Sequence, residues 1–355
     1  MIKRKNKDFL FNIIRIFLPL FVLIFLLFFV LNSLSKSQFN VNEVSNKQSE
    51  YNTNNYNDKA CVVINSSNFC NIPEDIKNLI SNADNIYKEE NKKGIIIEKN
   101  LSVTNATNEY KNIYIRNSTS NDIDIEKILK EKISFTFEKD TPQILIYHTH
   151  INDTYELLPS GYYTNVRSNR SEMQNENMYR IGEEIAVKLR ECGFNVLHDN
   201  TSYDKSYMGA YDRARENISR ILLDNPSIQV AIDIQRGAIM LKDGTKIKPT
   251  IKVNDDNVAQ MKIICGTYNN NGFSNWQQNL SFALKLQNKI IERNENIMCP
   301  IYICDNSYNM DLIKGALQIE IGTDANTLLE SIYSARILAE NLNFLLKELL
   351  NEWNT

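Results

Sequence analysis

The segment QILIYHTHINDTY, residues 143–155, runs an apolar stretch into two of the chain's three histidines, His148 and His150, and places Asp153 three positions later. Imidazole and carboxylate groups at the end of an apolar strand are the donor types of a hydrolytic zinc site. Such a site takes about three protein ligands, leaves one position for water and keeps a separate carboxylate as general base. Two further segments end in polar groups: AIDIQRG, residues 231–237, with Asp233, Gln235 and Arg236, and QIEIG, residues 318–322, with Glu320. From residue types alone, His148 or His150 supplies one ligand, Asp153 a second, and Glu320 the base. The third ligand is open: Gln235 is available, but an amide oxygen is a weak zinc donor beside imidazole. His198, in NVLHDN, is placed around the site rather than on the metal. Structural readings stand beside these. A histidine pair can simply end a strand in a polar loop, Asp233 and Arg236 can form an ion pair, and Glu320 between isoleucines can be buried and paired, for instance with Arg236.

These residues need elements to position them. Residues 144–147 read as a short buried strand, and NENMYRIGEEIAVKLRECG has helical apolar spacing that stops at Gly193. A strand at FNVL, a helix at YDRARENISRILLD and a strand at IQVAIDI follow. Then come QMKIICG, the helix NWQQNLSFALKLQNKIIERN, the strand ALQIEIG and a terminal helix opened by Thr327 and Glu330 as a capping box. This alternation predicts an α/β domain of three layers with a mostly parallel central sheet. Ligands of such sheets bind beyond the carboxyl ends of the strands, which is where the three polar clusters fall. The aromatic YELLPSGYY, from Tyr155, is a candidate lining for a sugar groove.

At 355 residues and 43% hydrophobic composition the chain can bury a good-sized core. A net charge of -3 gives no reason to invoke nucleic acid. The basic residues concentrate only at the start, where Lys3, Arg4, Lys5 and Lys7 precede the apolar run Ile16–Leu31. Extended back past Arg15, which can snorkel to the head groups, the run is long enough to cross a bilayer. The positive flank then predicts a cytoplasmic N-terminus and an extracytoplasmic main domain. The expected organisation is a basic segment over residues 1–9, a transmembrane anchor over 10–32, a flexible Asn- and Ser-rich stalk over 33–60, a loosely packed membrane-proximal region over 61–134, and the α/β domain over 135–355. None of the six cysteines has C-x-x-C spacing, so a thiolate zinc site is not expected, while Cys61 and Cys70 can pair outside the membrane.

Several blocks, in order, resemble stage II sporulation protein P: ILIYHTHINDTY, NMYRIGEEIAVKLRECGFNVLHDNTSYD, YDRARENISRILLDNPSIQVAIDIQRGA, IICGTYNNNGFSNWQQNLSFALKL and GALQIEIGTDANTLLES. The resemblance covers roughly residues 141–345, and the anchor and stalk are similar too. It implies a membrane-anchored, zinc-dependent cell-wall hydrolase with an amidase-type fold. Its substrate would be peptidoglycan, cut between N-acetylmuramic acid and L-alanine and at peptide cross-links, at the sporulation septum during engulfment. Its membrane partners would be stage II sporulation proteins D and M. Carried over by position, the resemblance puts the leading metal-site histidine on His148, retains His150, and puts a ligand glutamate on the shorter Asp153. The family's DIHRDA reads DIQRGA here, so Gln235 stands for a metal-site histidine and Gly237 for an aspartate. The resemblance keeps Glu320 as the terminal glutamate, and His198 with Asp199. The expectation that follows is a hydrolase of weakened or lost activity; its alternative is a homologue that binds peptidoglycan without cutting it and acts through partners.

Overall fold

The computed structural model describes residues 72–268 and 272–351. The basic segment, the anchor, the stalk and the Cys61–Cys70 pairing lie outside the described residues. Among the described residues no helix is long and apolar enough to cross a membrane.

The core follows from the period of two in its central strand. In β4 (Ile144–Tyr147) all four residues are buried, Ile144 and Ile146 on one face and Leu145 and Tyr147 on the other. A strand apolar on both faces needs a helix layer over each. On the first face lie α3 (Met178–Glu191), α5 (Trp276–Ile291) and α6 (Leu328–Asn351). On the second lies α4 (Ala210–Asp224), through Ala214 and Ile218. The expected three layers are present.

The eight-stranded sheet has the order β2-β3-β11-β10-β12-β7-β4-β6, with β2 (Asn108–Tyr110), β3 (Ile113–Asn117), β6 (Val196–His198), β7 (Val230–Gly237), β10 (Met261–Gly266), β11 (Ile301–Cys304) and β12 (Ala316–Thr323). It is mixed. The β2–β3 and β10–β12 pairs are antiparallel, and the other neighbours are parallel. A smaller sheet, β5-β1-β8-β9, is built from β5 (Tyr162–Thr164), β1 (Lys92–Lys99), β8 (Lys246–Val253) and β9 (Asp256–Ala259).

The membrane-proximal expectation fails for the residues described. Strand β3 pairs with β11 in the main sheet, and α2 (Ile125–Leu129) sits over α5, where the Ile128 carbonyl accepts from Ser281 Oγ at 3.0 Å. Ile76 of α1 (Glu74–Ser81), Ile113, Ile115, Ile125 and Ile128 join the main core. The segment reads as coreless because its apolar residues are sparse and its strands short, yet each contributes to a core completed from elsewhere in the chain. Cys192, which caps α3, is disulfide-bonded, while Cys265, Cys299 and Cys304 are free. Gly193, at φ +97, ends that helix as its sequence predicts.

The capping box at the start of α6 also forms. Glu330 Oε2 accepts from the Thr327 amide at 2.9 Å, and the Glu330 amide donates to Thr327 Oγ1 at 3.2 Å. The other Glu330 oxygen lies 2.8 Å from Lys248 Nζ of β8, so one buried carboxylate caps a helix and holds the smaller sheet against it. Glu330→Ala is expected to lower unfolding free energy by about 3 kcal/mol, because it removes a cap and half-strips a buried ammonium. Glu330→Gln, which retains the cap, is expected to lose less. Urea denaturation of the two variants tests this ranking, and equal losses would contradict it.

Candidate functional site

Asp233 of β7 is the buried base on which the site is assembled. Its carboxylate accepts from the Thr149 amide at 3.0 Å, from Thr149 Oγ1 at 2.6 Å and from Gln235 Nε2 at 2.7 Å. Burial pushes its pKa up to about 6 and outweighs these hydrogen bonds, which pull it down. Asp233 does not pair with Arg236. Alternation along β7 sends the two side chains to opposite faces, and Arg236 donates to the carbonyls of Gly237 and Asn169.

Fixing Thr149 turns its two histidine neighbours apart. His148 is fully buried. Its Nδ1 lies 2.8 Å from the Ile234 carbonyl, and its Nε2 lies 2.9 Å from His198 Nε2. A carbonyl only accepts, so Nδ1 of His148 carries the proton and Nε2 accepts from His198 Nε2–H. His198 Nδ1 in turn faces Glu183 Oε2 at 2.7 Å, and the ring is stacked on Tyr179. Burial, then the neighbouring His198, lowers the His148 pKa to about 3, so the ring is neutral. Burial raises the Glu183 pKa, but the hydrogen bond and charge of His198, with Arg190, lower it on balance. Gly182 of α3 makes room for the pair: a Cβ there would lie 2.5 Å from His198 Nε2 and closer still to His148. Both ring nitrogens of His148 therefore have partners, a backbone carbonyl and a second imidazole, and His198 belongs to the same buried relay.

His150 turns the other way, to the tyrosines around the start of α4. Its ring stacks on Tyr207 with centroids 4.7 Å apart and meets Tyr211 edge-on at 5.7 Å. Tyr211 accepts at 3.1 Å from the Gln235 amide, which links His150 to the strand ends. Burial lowers the His150 pKa, opposed by the charges of Asp153 and Asp204. Its Nδ1 is buried without a hydrogen-bond partner, 4.0 Å from Asp204 Oδ2, and Nε of Arg236 is likewise without a hydrogen bond. Asp153 lies near both Arg170, at 3.5 Å, and Arg236, at 3.6 Å. Burial raises its pKa in spite of those guanidinium groups.

Glu320 stands in register with Gln235 on the adjacent strand β12. Its partner is Lys262 at 2.6 Å, not Arg236. A Cβ on Gly237 would lie 2.9 Å from Glu320 Oε2, so an acidic side chain at 237 would crowd the glutamate. The YELLPSGYY tyrosines are structural: Tyr155 donates to the Ile321 carbonyl, Tyr162 to the Tyr87 carbonyl and Tyr163 to the Gly244 carbonyl. Tyr207 and Tyr211, in the SYMGAY stretch, are the aromatics at the site. Their spacing of four at a helix start is the signal that marks them.

These residues do not fit a hydrolytic zinc. Among the described residues no group of three or more His, Cys, Asp and Glu side chains is placed to hold a metal ion. Without His148, the set reduces to His150 and Asp153 with the Gln235 amide, whose nitrogen is turned to Asp233 and Tyr211. What the strand ends offer is Gln235 and Glu320 in register on β7 and β12, Asp153 beside Arg170 and Arg236, and His150 against Tyr207 and Tyr211.

Gly182→Ala is expected to destabilise the protein by about 1–3 kcal/mol through overpacking of the histidine pair, read from thermal or urea unfolding. For His148 the folded pKa lies below the unfolded one, so its contribution is lost as pH falls from about 6.5 toward about 3. The unfolding free energy of the protein relative to His148→Gln should thus rise with pH across that window, by at most ~1.4 kcal/mol per pH unit, and level off above it. A pH-independent difference would show that His148 is not held neutral.

Similar solved structures are bacterial cell-wall amidases, at low identity. The N-acetylmuramoyl-L-alanine amidase from Clostridium difficile 630 is 18% identical over 60% of this chain and 98% of that one, with a TM-score of 0.34. The CwlD amidase of Clostridioides difficile, in complex with the GerS lipoprotein, is 12% identical over 59% and 98%, with a TM-score of 0.35. AmiC2 of Nostoc punctiforme is 11% identical over 60% and 99%, with a TM-score of 0.33. Comparison with curated proteins gives no match. The family profile described as stage II sporulation protein P matches residues 34–343. With the ordered HTH, DIQRG and QIEIG strand ends lying along one sheet and the profile spanning most of the sequence, the chain belongs to the stage II sporulation protein P family.

Proposed function

We propose that this protein engages peptidoglycan through the polar residues at the carboxyl ends of β7 and β12 without holding a hydrolytic zinc. Family membership supports peptidoglycan as the ligand and hydrolase as the ancestral class. The observation that carries the non-hydrolytic reading is His148, with one ring nitrogen on the Ile234 carbonyl and the other on His198. Gln235 in the second histidine position leaves the centre short of imidazole donors. The polar strand ends persist, and they are sufficient to grip a peptide or sugar.

The wider setting is proposed on the same basis. The basic N-terminus and apolar run support a single-pass cell-membrane protein with a cytoplasmic N-terminus, and the disulfide at Cys192 supports an oxidising, extracytoplasmic location for the main domain. Action at the sporulation septum during engulfment, with stage II sporulation proteins D and M as partners, rests on family resemblance.

A second reading, a zinc-dependent amidase of reduced activity, is favoured by one observation: the unpartnered, buried Nδ1 of His150. The test uses the full chain in detergent, purified without chelator. Zinc content, retention on purified sacculi and release of stem peptides are measured for the protein, Gln235→His and Glu320→Ala. The binding reading predicts little zinc, firm retention, no release, and a gain of zinc in Gln235→His. About one zinc per chain, with release abolished in Glu320→Ala, would overturn it in favour of the amidase.

A further inference from the structure

At Gly237 and Glu320 lies a cavity of about 570 Å³ between the two sheets. That volume lies within the ~300–1,000 Å³ of small-ligand sites. Strands β1 and β8 wall it on one side through Lys99, Ile247 and Pro249, and β11, β10 and β3 contribute Tyr302, Lys262 and Arg116 on the other. The charges facing it are Lys99, Arg116 and Lys262 against Glu320.

These charges are not equivalent. Lys262 is neutralised by Glu320 at 2.6 Å. Lys99 and Arg116 form no ion pair among the described residues. Arg116 is instead held over the Tyr302 ring, 5.1 Å from its centroid, beside its register neighbour on β11. Cation–π stacking fixes the guanidinium plane and leaves its in-plane N–H donors available, and a guanidinium prefers a carboxylate as its planar partner. The wall is mixed: Leu101, Ile239, Leu241, Ile247 and Pro249 form its apolar part, and Thr104, Asn105 and Gln260 add polar groups. Leu241, half-exposed, keeps that wall open to solvent.

We infer that this cavity is a subsite for a short acidic peptide, whose free carboxylate is held by Arg116 and Lys99 and whose aliphatic part lies against Ile239, Leu241 and Pro249. The inference deepens the peptidoglycan reading and rests on it, because a stem peptide carries a glutamate residue with a carboxyl group that is either free or amidated. The cation pair makes the site a reader of that difference. An amide keeps one accepting oxygen but loses the charge and sets N–H donors where the second carboxylate oxygen would accept, so its pairing with the two cations is weaker.

The test is titration calorimetry on the full chain in detergent with two synthetic tripeptides, L-Ala-D-Glu-L-Lys and its D-isoglutamine form, alongside sedimentation with sacculi. The acidic peptide is expected to bind at least about tenfold more tightly than the amidated one, as loss of a charged hydrogen bond predicts. Arg116→Ala, with Lys99→Ala added, should abolish that preference, and Arg116→Lys should keep part of it. Both positions are exposed, so the variants are expected to fold, and unchanged retention on sacculi would show it. Equal affinity for the two peptides, or a preference that survives in the double alanine variant, would overturn the inference. Sacculus retention without tripeptide binding would sink this subsite alone. Failure of both would sink the peptidoglycan reading with it.

Discussion

The buried carboxylate of Asp233, gripping the amide and hydroxyl of Thr149, is the contact on which the site's arrangement depends. It locks the chain as it leaves β4 against the neighbouring strand β7. With Thr149 pinned at the centre of His-Thr-His, the chain turns at Thr149 and His150 instead of continuing as a strand, so the two histidines do not share a face as strand alternation would require. His148 is driven under the helix layer, where only a neutral ring with both nitrogens satisfied is tolerable. His150 is left beside Tyr207 and Tyr211. A third hydrogen bond from Gln235 to the same carboxylate orients the amide and, through Tyr211, the aromatic rim.

Two distinct assemblies follow from this division. Below the sheet lies a relay from Glu183 through His198 and His148 to a backbone carbonyl, accommodated by the lack of a side chain on Gly182. At the strand ends His150 meets Tyr207 and Tyr211, and Asp153 lies between Arg170 and Arg236. Glu320, held by Lys262 and facing Gly237, lines the cavity under the smaller sheet. The same residue types that suggest a metal centre thus serve packing on one face and lie at the strand ends on the other.

Much of this was legible in the residues. The apolar strand 144–147, the helix stop at Gly193 and the Thr327–Glu330 box each rest on local rules, and each is present. The convergence of the HTH, DIQRG and QIEIG strand ends was legible for the same reason. The direction of each side chain was not. That His148 is buried against His198 while His150 meets Tyr207 and Tyr211 depends on the turn that begins at Thr149, which Asp233 holds from 84 residues away. The partner of Glu320 depends on the antiparallel register that brings Lys262 beside it, and that pairing leaves no mark in either segment. The contribution of β3 to the main sheet was hidden likewise, because its core partners come from β11 and α5.

The central claim is that His148 is a structural residue and that the centre lacks a zinc set. The most direct measurement is the histidine ring ¹⁵N spectrum of the protein, recorded with and without zinc. The account predicts that His148 remains a neutral ring protonated at Nδ1 from pH 5 to 8, unmoved by zinc, given its pKa of about 3. A His148 nitrogen that shifts stoichiometrically on adding zinc would contradict it, and would return the histidine pair to the metal.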